Sequence, residues 1–432
     1  VAALDGRLPG AGTLVAAGSA DANGLTLSGS LTLSDSGIIT QDGNISLGTV
    51  GTDSVSLSVA SGATYDILAD VDLNSSGNAI VSNAGLFEKS GVSGTSYVFA
   101  NMTNTGTIKV DHGVLSLRAG VASLGGTIAG AGEFDLNSAG NYTLLSNLVL
   151  NVASLGLLGG ANVALAGSHA YGGALALGTG TTLGLNGKVL TLSGTGALDG
   201  LIRGPGSATI AGSADANGLV VYGAAALSVT GTLTADGSLT LGSGADTALL
   251  NIGTGGTYDF IADVDLDLNG NAIVNNAGLF EKTGLGGTSN VQVNVDNTGT
   301  IAVASGTLAF GGSLANDRLI RIAGGELVVA QSLVADSGRS GMISIGAAGE
   351  ALLESAVSSV EGITFATGTG KLALAQPTRI GGTISGFQAG DSIDLIGATF
   401  TPGADSVQFV GGVLTVSDPG TTIASLHLAG SY

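Results

Sequence analysis

The sequence predicts an all-β chain, a parallel β-helix (β-solenoid) with coils of about 19–23 residues, and three observations carry that prediction. The first is a long repeat. The stretch from Gly62-Ala63-Thr64-Tyr65-Asp66 to Thr105-Gly106-Thr107-Ile108 returns as Gly255-Gly256-Thr257-Tyr258-Asp259 to Thr298-Gly299-Thr300-Ile301, about 193 residues later. Ala3-Leu4-Asp5-Gly6 likewise returns as Ala197-Leu198-Asp199-Gly200, and residues 17–25 return as 211–219. The second is a short repeat. Asn297-Thr298-Gly299-Thr300-Ile301-Ala302-Val303 and Gly306-Thr307-Leu308-Ala309-Phe310 align with Asn316-Asp317-Arg318-Leu319-Ile320-Arg321-Ile322 and Gly325-Glu326-Leu327-Val328-Val329, apolar position on apolar position. The third is strict alternation within each short segment, the period of a strand.

Alternation assigns the faces. Ile301, Val303, Leu308 and Phe310 line an interior, with Ile320, Ile322, Leu327 and Val329 stacked above them. Thr300, Ala302, Thr307 and Ala309 then face out. The same coil opens with Asn276-Ala277-Gly278-Leu279-Phe280 and, in the first half, with Asn83-Ala84-Gly85-Leu86-Phe87. Stacked this way, every backbone group pairs with the coil above and below.

Organisation follows from the repeats: a solenoid over 1–194 as the first long repeat, a second repeat over 195–380 continuous with it, and terminal coils or a small β cap over 381–432. The copies diverge after about residue 120, where 121–188 has no clear partner in the second half. From Gly381 the texture changes, with Gly386-Phe387-Gln388-Ala389-Gly390-Asp391-Ser392-Ile393-Asp394-Leu395, then Phe400, Phe409 and Val413-Leu414-Thr415-Val416, and with Pro402 and Pro419 in turn-like contexts. At about 21 residues and about 4.8 Å per coil, the chain predicts on the order of 20 coils and a rod of roughly 90–100 Å. Tandem β-sandwiches are the competing architecture, and the stacked identical patterns count against them.

Composition agrees. There are 76 glycines and 5 prolines in 432 residues, so turns are well supplied and ladder donors are rarely lost. Charged residues are 10% and hydrophobic residues 44%, which excludes a coiled coil and a disordered chain. No apolar run approaches a membrane-spanning helix. Twelve Lys and Arg against 32 Asp and Glu give a net charge of −20, which excludes nucleic acid as a partner. With no cysteine there are neither disulfides nor thiolate metal sites. The chain opens at Val1-Ala2-Ala3 with no basic-then-apolar stretch and ends at Ser431-Tyr432, as expected of a mature or excised portion of a longer secreted protein.

The Asn-Thr-Gly-Thr-Ile pattern followed by Gly-Thr-Leu resembles the β-helical passenger regions of autotransporters and filamentous-haemagglutinin-like adhesins. The Gly-Asp-Ser-Ile-Asp-Leu stretch at 390–395 is similar to segments of giant adhesins secreted by the type I route. The resemblance implies an extracellular or cell-surface place on a Gram-negative bacterium and a role in adhesion, matrix or surface-array assembly. No individual binding residue transfers from it.

Candidate sites are few. Asp70 and Asp72, repeated as Asp263 and Asp265 with Asp267 added, put carboxylates at alternating positions, with Asp263, Asp265 and Asp267 expected on one outward face. Calcium is the ligand that such oxygens suit, and a solvated acidic face is the alternative. The tandem Gly-Gly-x-Gly-x-Asp nonapeptide of calcium-binding β-rolls does not occur. Asn83, Asn104, Asn276, Asn297 and Asn316 recur once per coil and predict a ladder of turn asparagines bonded to one another rather than a sugar-gripping row. Glu88-Lys89 and Glu281-Lys282 recur too, and adjacent strand residues point to opposite faces, so one member of each is expected inside at a bend or both in a turn. An enzyme needs paired carboxylates or a metal with a basic partner gathered in a groove. His112, His169 and His427 show no ligand spacing, and Asp263 with Asp265 is the least poor pair.

The sequence therefore predicts a non-enzymatic structural protein with no required cofactor: a rod-like subunit of a bacterial surface filament, matrix or array whose main partner is another copy of itself. A ligand-binding adhesin stalk that meets cell-surface glycan is the alternative; it requires a tip or loop insertion that the sequence does not reveal, and the unmatched stretch 125–187 is the place to look for one. A polysaccharide-active β-helix is the third reading.

Overall fold

Alternation becomes architecture when three short strands make one coil and each strand pairs with its counterpart one coil later. The computed structural model describes residues 1–336, 338–366, 368–399, 401–418 and 421–430; Phe400, Pro419, Ser431 and Tyr432 of the sequence reading lie outside these. It is an all-β parallel solenoid of roughly 19 turns with 58% strand, and its only helical element among the described residues is the 3-10 turn Pro377–Arg379. The chain divides into two compact units, Val1–Ser213 and Ala214–Tyr432.

In the first unit, Arg7–Ala16 and Thr26–Asp35 pair in parallel along their whole length, from Arg7 on Thr26 to Ala16 on Asp35. Short strands follow, three to a coil. Ser56–Val59, Thr64–Ile67 and Leu73–Ser75 are succeeded by Ile80–Asn83, Leu86–Lys89 and Thr95–Val98. The next coil adds Asn101–Asn104, Thr107–Val110 and Val114–Leu117. Each face is in register: Leu57 pairs with Val81 and Val81 with Met102. Thr127–Asn137 is one long bent strand with a register break between Gly130 and Glu133, so it serves two faces at once. Residues 125–187, the unmatched stretch of the first repeat, are built of coils like their neighbours.

The second unit repeats the plan. Asn271–Asn276, Leu279–Lys282 and Thr288–Val291 precede Asn294–Asn297, Thr300–Val303 and Thr307–Phe310. Ile301 pairs with Ile320, Val303 with Ile322, Leu308 with Leu327 and Phe310 with Val329, and all eight side chains are buried. One expected outward residue differs. Ala302 is buried as well, because it lies in register between Glu281 and Arg321, whose longer side chains cover its methyl group. Ser392–Leu395 still pairs in parallel with Lys371–Leu374, so the stretch from Gly386 belongs to the last coil. Beyond it Ser406–Val410, Val413–Asp418 and Thr421–Ala429 form an antiparallel meander, whose third strand rejoins Thr383–Ser385.

Corner glycines explain the tight stacking. A Cβ on Gly106 would collide with the carbonyl oxygen of Gly85, and one on Gly299 with that of Gly278. At these corners glycine is required by the approach of the coil below.

The two copies solve one core problem differently. In the first, Tyr65 stacks on Phe87 at 5.1 Å and its hydroxyl donates to Gln41 Oε1 at 2.7 Å. In the second, Tyr258 stacks on Phe280 at 5.3 Å, but Ala235 stands where Gln41 stood and Phe260 replaces Ile67, packing edge-on against Tyr258 at 5.0 Å. The Tyr258 hydroxyl is buried and makes no hydrogen bond among the described residues. A buried hydroxyl without a partner costs about 1–3 kcal/mol, whereas a satisfied one contributes about 1 kcal/mol. Urea unfolding should therefore show Tyr258→Phe to be neutral or stabilising and Tyr65→Phe to be destabilising by about 1 kcal/mol. Equal losses for the two would contradict this account of the core.

Candidate functional site

The recurring asparagines lie inside. Asn83, Asn104, Asn276, Asn297 and Asn316 are each at most 2% exposed. They are the last residues of their strands, and among the described residues Asn186 is the only asparagine with a positive φ, so the turn conformation expected for them is not the one they adopt. Asn83 Nδ2 donates to Asn104 Oδ1 at 2.7 Å, and Asn104 Nδ2 donates to the Gly125 carbonyl at 2.5 Å. In the second unit Asn276 Nδ2 donates to Asn297 Oδ1 at 2.7 Å and Asn297 Nδ2 to Asn316 Oδ1 at 2.8 Å. Asn83 and Asn276 also accept from the amide of the corner glycine two residues on. The amides thus bond later coils and, at Asn83 and Asn276, their own corner as well, all inside the coil stack.

Lys89 and Lys282 point inward and their side chains are fully buried. Lys89 Nζ donates to Asp70 Oδ1 at 3.0 Å, Ser96 Oγ at 3.1 Å and the Ala69 carbonyl. Lys282 repeats the set with Asp263 Oδ1 at 2.9 Å, Ser289 Oγ and the Ala262 carbonyl. Each ammonium satisfies its three donors, the condition for holding a charge in a core.

These pairs change the reading of the predicted carboxylate row: Asp70 and Asp263 are at the surface as expected, but each is bonded to a buried lysine. The strands at this point are only Leu73–Ser75 and Leu266–Leu268, so Asp70, Asp72, Asp263 and Asp265 sit in the preceding turns, where strand alternation does not apply. Asp70 and Asp263 turn to the lysines. Asp72 Oδ1 accepts the Tyr97 amide at 3.0 Å, and Asp265 Oδ1 accepts the Asn290 amide at 2.8 Å and its side chain at 3.0 Å. Asp267 alone is on the strand, its carboxyl raised by burial and by Asp265. These five form no shared ligand group among the described residues. Asp70, Asp72, Asp263 and Asp265 fasten turns to the next coil.

Two other acidic clusters escaped the sequence reading. On the outside of the first unit Asp135 is 6% exposed beside Glu133, and it lies in register with the buried Ser116. Burial first, then Glu133, pushes its carboxyl up to about 7. Arg118 stacks over the Tyr97 ring at 4.1 Å and draws the same carboxyl down in part.

The second cluster lies in the second unit. Asp296, Asp317 and Asp336 come from three successive coils, and their nearest carboxylate oxygens all lie within 4.8 Å of one another. The Asp336 amide donates to Asp317 Oδ1 at 2.8 Å, and Arg339 Nε lies 3.4 Å from Asp317 Oδ2. Burial first, then Asp336 and Asp317, raises the Asp296 carboxyl, with Arg339 opposing. Beside the cluster, Glu361 is 1% exposed and ends the asparagine ladder, accepting from Asn316 Nδ2 at 3.0 Å. Burial pushes its carboxyl up to about 7, with Asp317 adding to the shift and the Asn316 bond resisting it. Asp317 and Glu361 line one open hollow of about 500 Å³ with Arg318, Ser340 and Ser359. The signal in the sequence was carboxylates spaced by one coil, 21 and 19 residues apart, rather than by two residues.

His112 and His427 are exposed and His169 is buried, and none joins a carboxylate cluster among the described residues. The fold and these sites define a β-solenoid repeat protein. No protein-family model matches the chain, and no curated protein matches its sequence.

The ladder sets an expectation for stability. Asn297→Leu strands a buried donor on Asn276 and a buried acceptor on Asn316, so it should cost about 2–4 kcal/mol. Asn275, whose amide bonds Asn251 on the exposed face, should tolerate Leu within about 0.5 kcal/mol. Denaturant unfolding of both variants measures the contrast, and two equally small losses would refute a stabilising ladder.

Proposed function

We propose that this chain is a non-enzymatic structural protein, a solenoid subunit of a bacterial surface filament, matrix or array that works outside the cell. The observation that supports it most is where the recurring polar residues spend their hydrogen bonds. The repeated asparagines, lysines and aspartates, the residues on which chemistry would be expected, are bonded to neighbouring coils and turns. Between coils, small outward residues such as Thr300, Thr307 and Ala309 leave little to grip a ligand. The net charge of −20 opposes unspecific clumping, so contact between copies must be specific.

The C-terminal meander suggests where. It replaces parallel stacking by antiparallel pairing, as a cap does, with Ser406–Val410 paired to Val413–Asp418. Val407 and Val410 stand 67% and 72% exposed along that strand. Exposed valines with no lysine between them offer an apolar surface on which another copy can dock.

Polysaccharide processing is the second reading, favoured by the outward Glu133 and Asp135 pair beside Arg118 and Tyr97. A carboxyl held near neutral next to another is the arrangement of glycosidic acid/base chemistry. An adhesin stalk requires an inserted loop, and 125–187 supplies coils instead.

Sedimentation and electron microscopy of the purified chain over a concentration series should show ordered multimers, and Val407→Lys with Val410→Lys should reduce them. Monomers at every concentration would overturn the assembly reading. Release of reducing ends from a polysaccharide, lost in Asp135→Asn, would establish the second reading in its place.

A further inference from the structure

The three aspartates Asp296, Asp317 and Asp336 are held together at a cost that nothing in their surroundings covers. Each belongs to a different coil, and the coil register brings them to one corner. Three carboxylates face one cation, Arg339, whose side chain is 56% exposed and whose Nε lies at the long distance of 3.4 Å. The Asp317 side chain is fully buried, yet its Oδ2 makes no hydrogen bond among the described residues. The Asp296 Oδ1 is also buried without one. Independently of the triad, Glu361, which lines a hollow together with Asp317, is 1% exposed, and its Oε1 is a further buried oxygen with no hydrogen-bond partner among the described residues. Buried acceptors are normally satisfied, and several orphaned carboxylate oxygens at one place call for a positive partner.

We propose that Asp296, Asp317 and Asp336 form a divalent-cation site that takes calcium and clamps three successive coils of the second unit. Oxygens within 4.8 Å of one another suit an ion that sits about 2.4 Å from each ligand. Three carboxylates less the Arg339 charge leave a deficit of two, which a divalent cation closes. Carboxylates binding through one or two oxygens, with water, complete the six to eight ligands that calcium takes, whereas magnesium needs shorter and stricter octahedral bonds. Arg339 is the cation beside the site when calcium is absent, and its exposure lets it move off Asp317 Oδ2 for calcium while its charge stays beside the cluster. The proposal does not depend on assembly between copies, because the site lies within one unit.

Isothermal titration of the chelator-treated full chain with calcium chloride, read together with the melting temperature, tests it. A saturable site with a dissociation constant of about 10⁻⁴–10⁻³ M is expected, together with a melting point that rises with calcium and responds less to magnesium. Asp296→Asn and Asp317→Asn should each weaken binding at least about tenfold. Arg339→Gln removes the competing cation and should tighten binding by about fivefold or less, a gain that a misfolded variant cannot mimic. No saturable binding up to 10 mM calcium, on the order of ten times the weakest expected constant, would overturn the proposal. So would binding that persists unchanged in both Asn variants, which would put the ion elsewhere.

Discussion

Everything in this molecule depends on the in-register parallel pairing of each strand with its counterpart one coil away. A residue on such a strand sits about 4.8 Å from the residue at the same place in the next coil, so each interior position forms a column through the stack. A column is stable only if its members suit one another. Aliphatic residues do, as in Ile301 on Ile320; aromatic rings do, as in Tyr65 on Phe87; and amides do, as in Asn276 on Asn297. This is why the sequence repeats at the length of a coil and why so few residue types fill the interior.

Polar groups enter that interior on one condition, that the adjoining coil or turn supplies the partner. The asparagine ladder meets it by like bonding like. It ends in the first unit at the Gly125 carbonyl, where Leu124 takes over the column, and in the second at Glu361. The buried lysines meet it through an aspartate and a serine that travel with them in both copies. Where the condition lapses, as at the Tyr258 hydroxyl, the copy has changed its neighbours: Gln41 has become Ala235, and Phe260 has filled the space. Divergence between the copies thus records which contacts are interchangeable.

The solenoid itself was legible in the sequence, because period-2 alternation inside a period near 20 has few other solutions. The columns containing Ile301 and Phe310 were legible for the same reason, as were the coil-spaced asparagines. What alternation could not reach was the corners. Asp263 and Asp265 look like strand residues on one face, but the strand begins at Leu266, and in the turn before it backbone direction decides where a carboxylate points. Asp296, Asp317 and Asp336 are inconspicuous for the converse reason, since they are far apart in sequence and come together only when the corners of three coils are superposed. Asp135 is hidden likewise, its burial set by the Glu133, Ser116 and Arg118 that the fold places around it.

The most direct test of the account is the distance between two residues separated by two coils. The chain contains no cysteine, so single-cysteine pairs accept spin labels cleanly. Thr257 and Thr300 occupy one outward column, each paired with Leu279 between them, so they lie 43 residues apart in sequence and about 10 Å apart in space. Nitroxides at these two sites should give strong dipolar broadening in continuous-wave electron paramagnetic resonance, and moving one label to Thr283, in the corner after the intervening strand, should weaken it. Spectra without broadening for the Thr257 and Thr300 pair would contradict parallel stacking of coils and with it the ladder, the corner glycines and the aspartate site built on it.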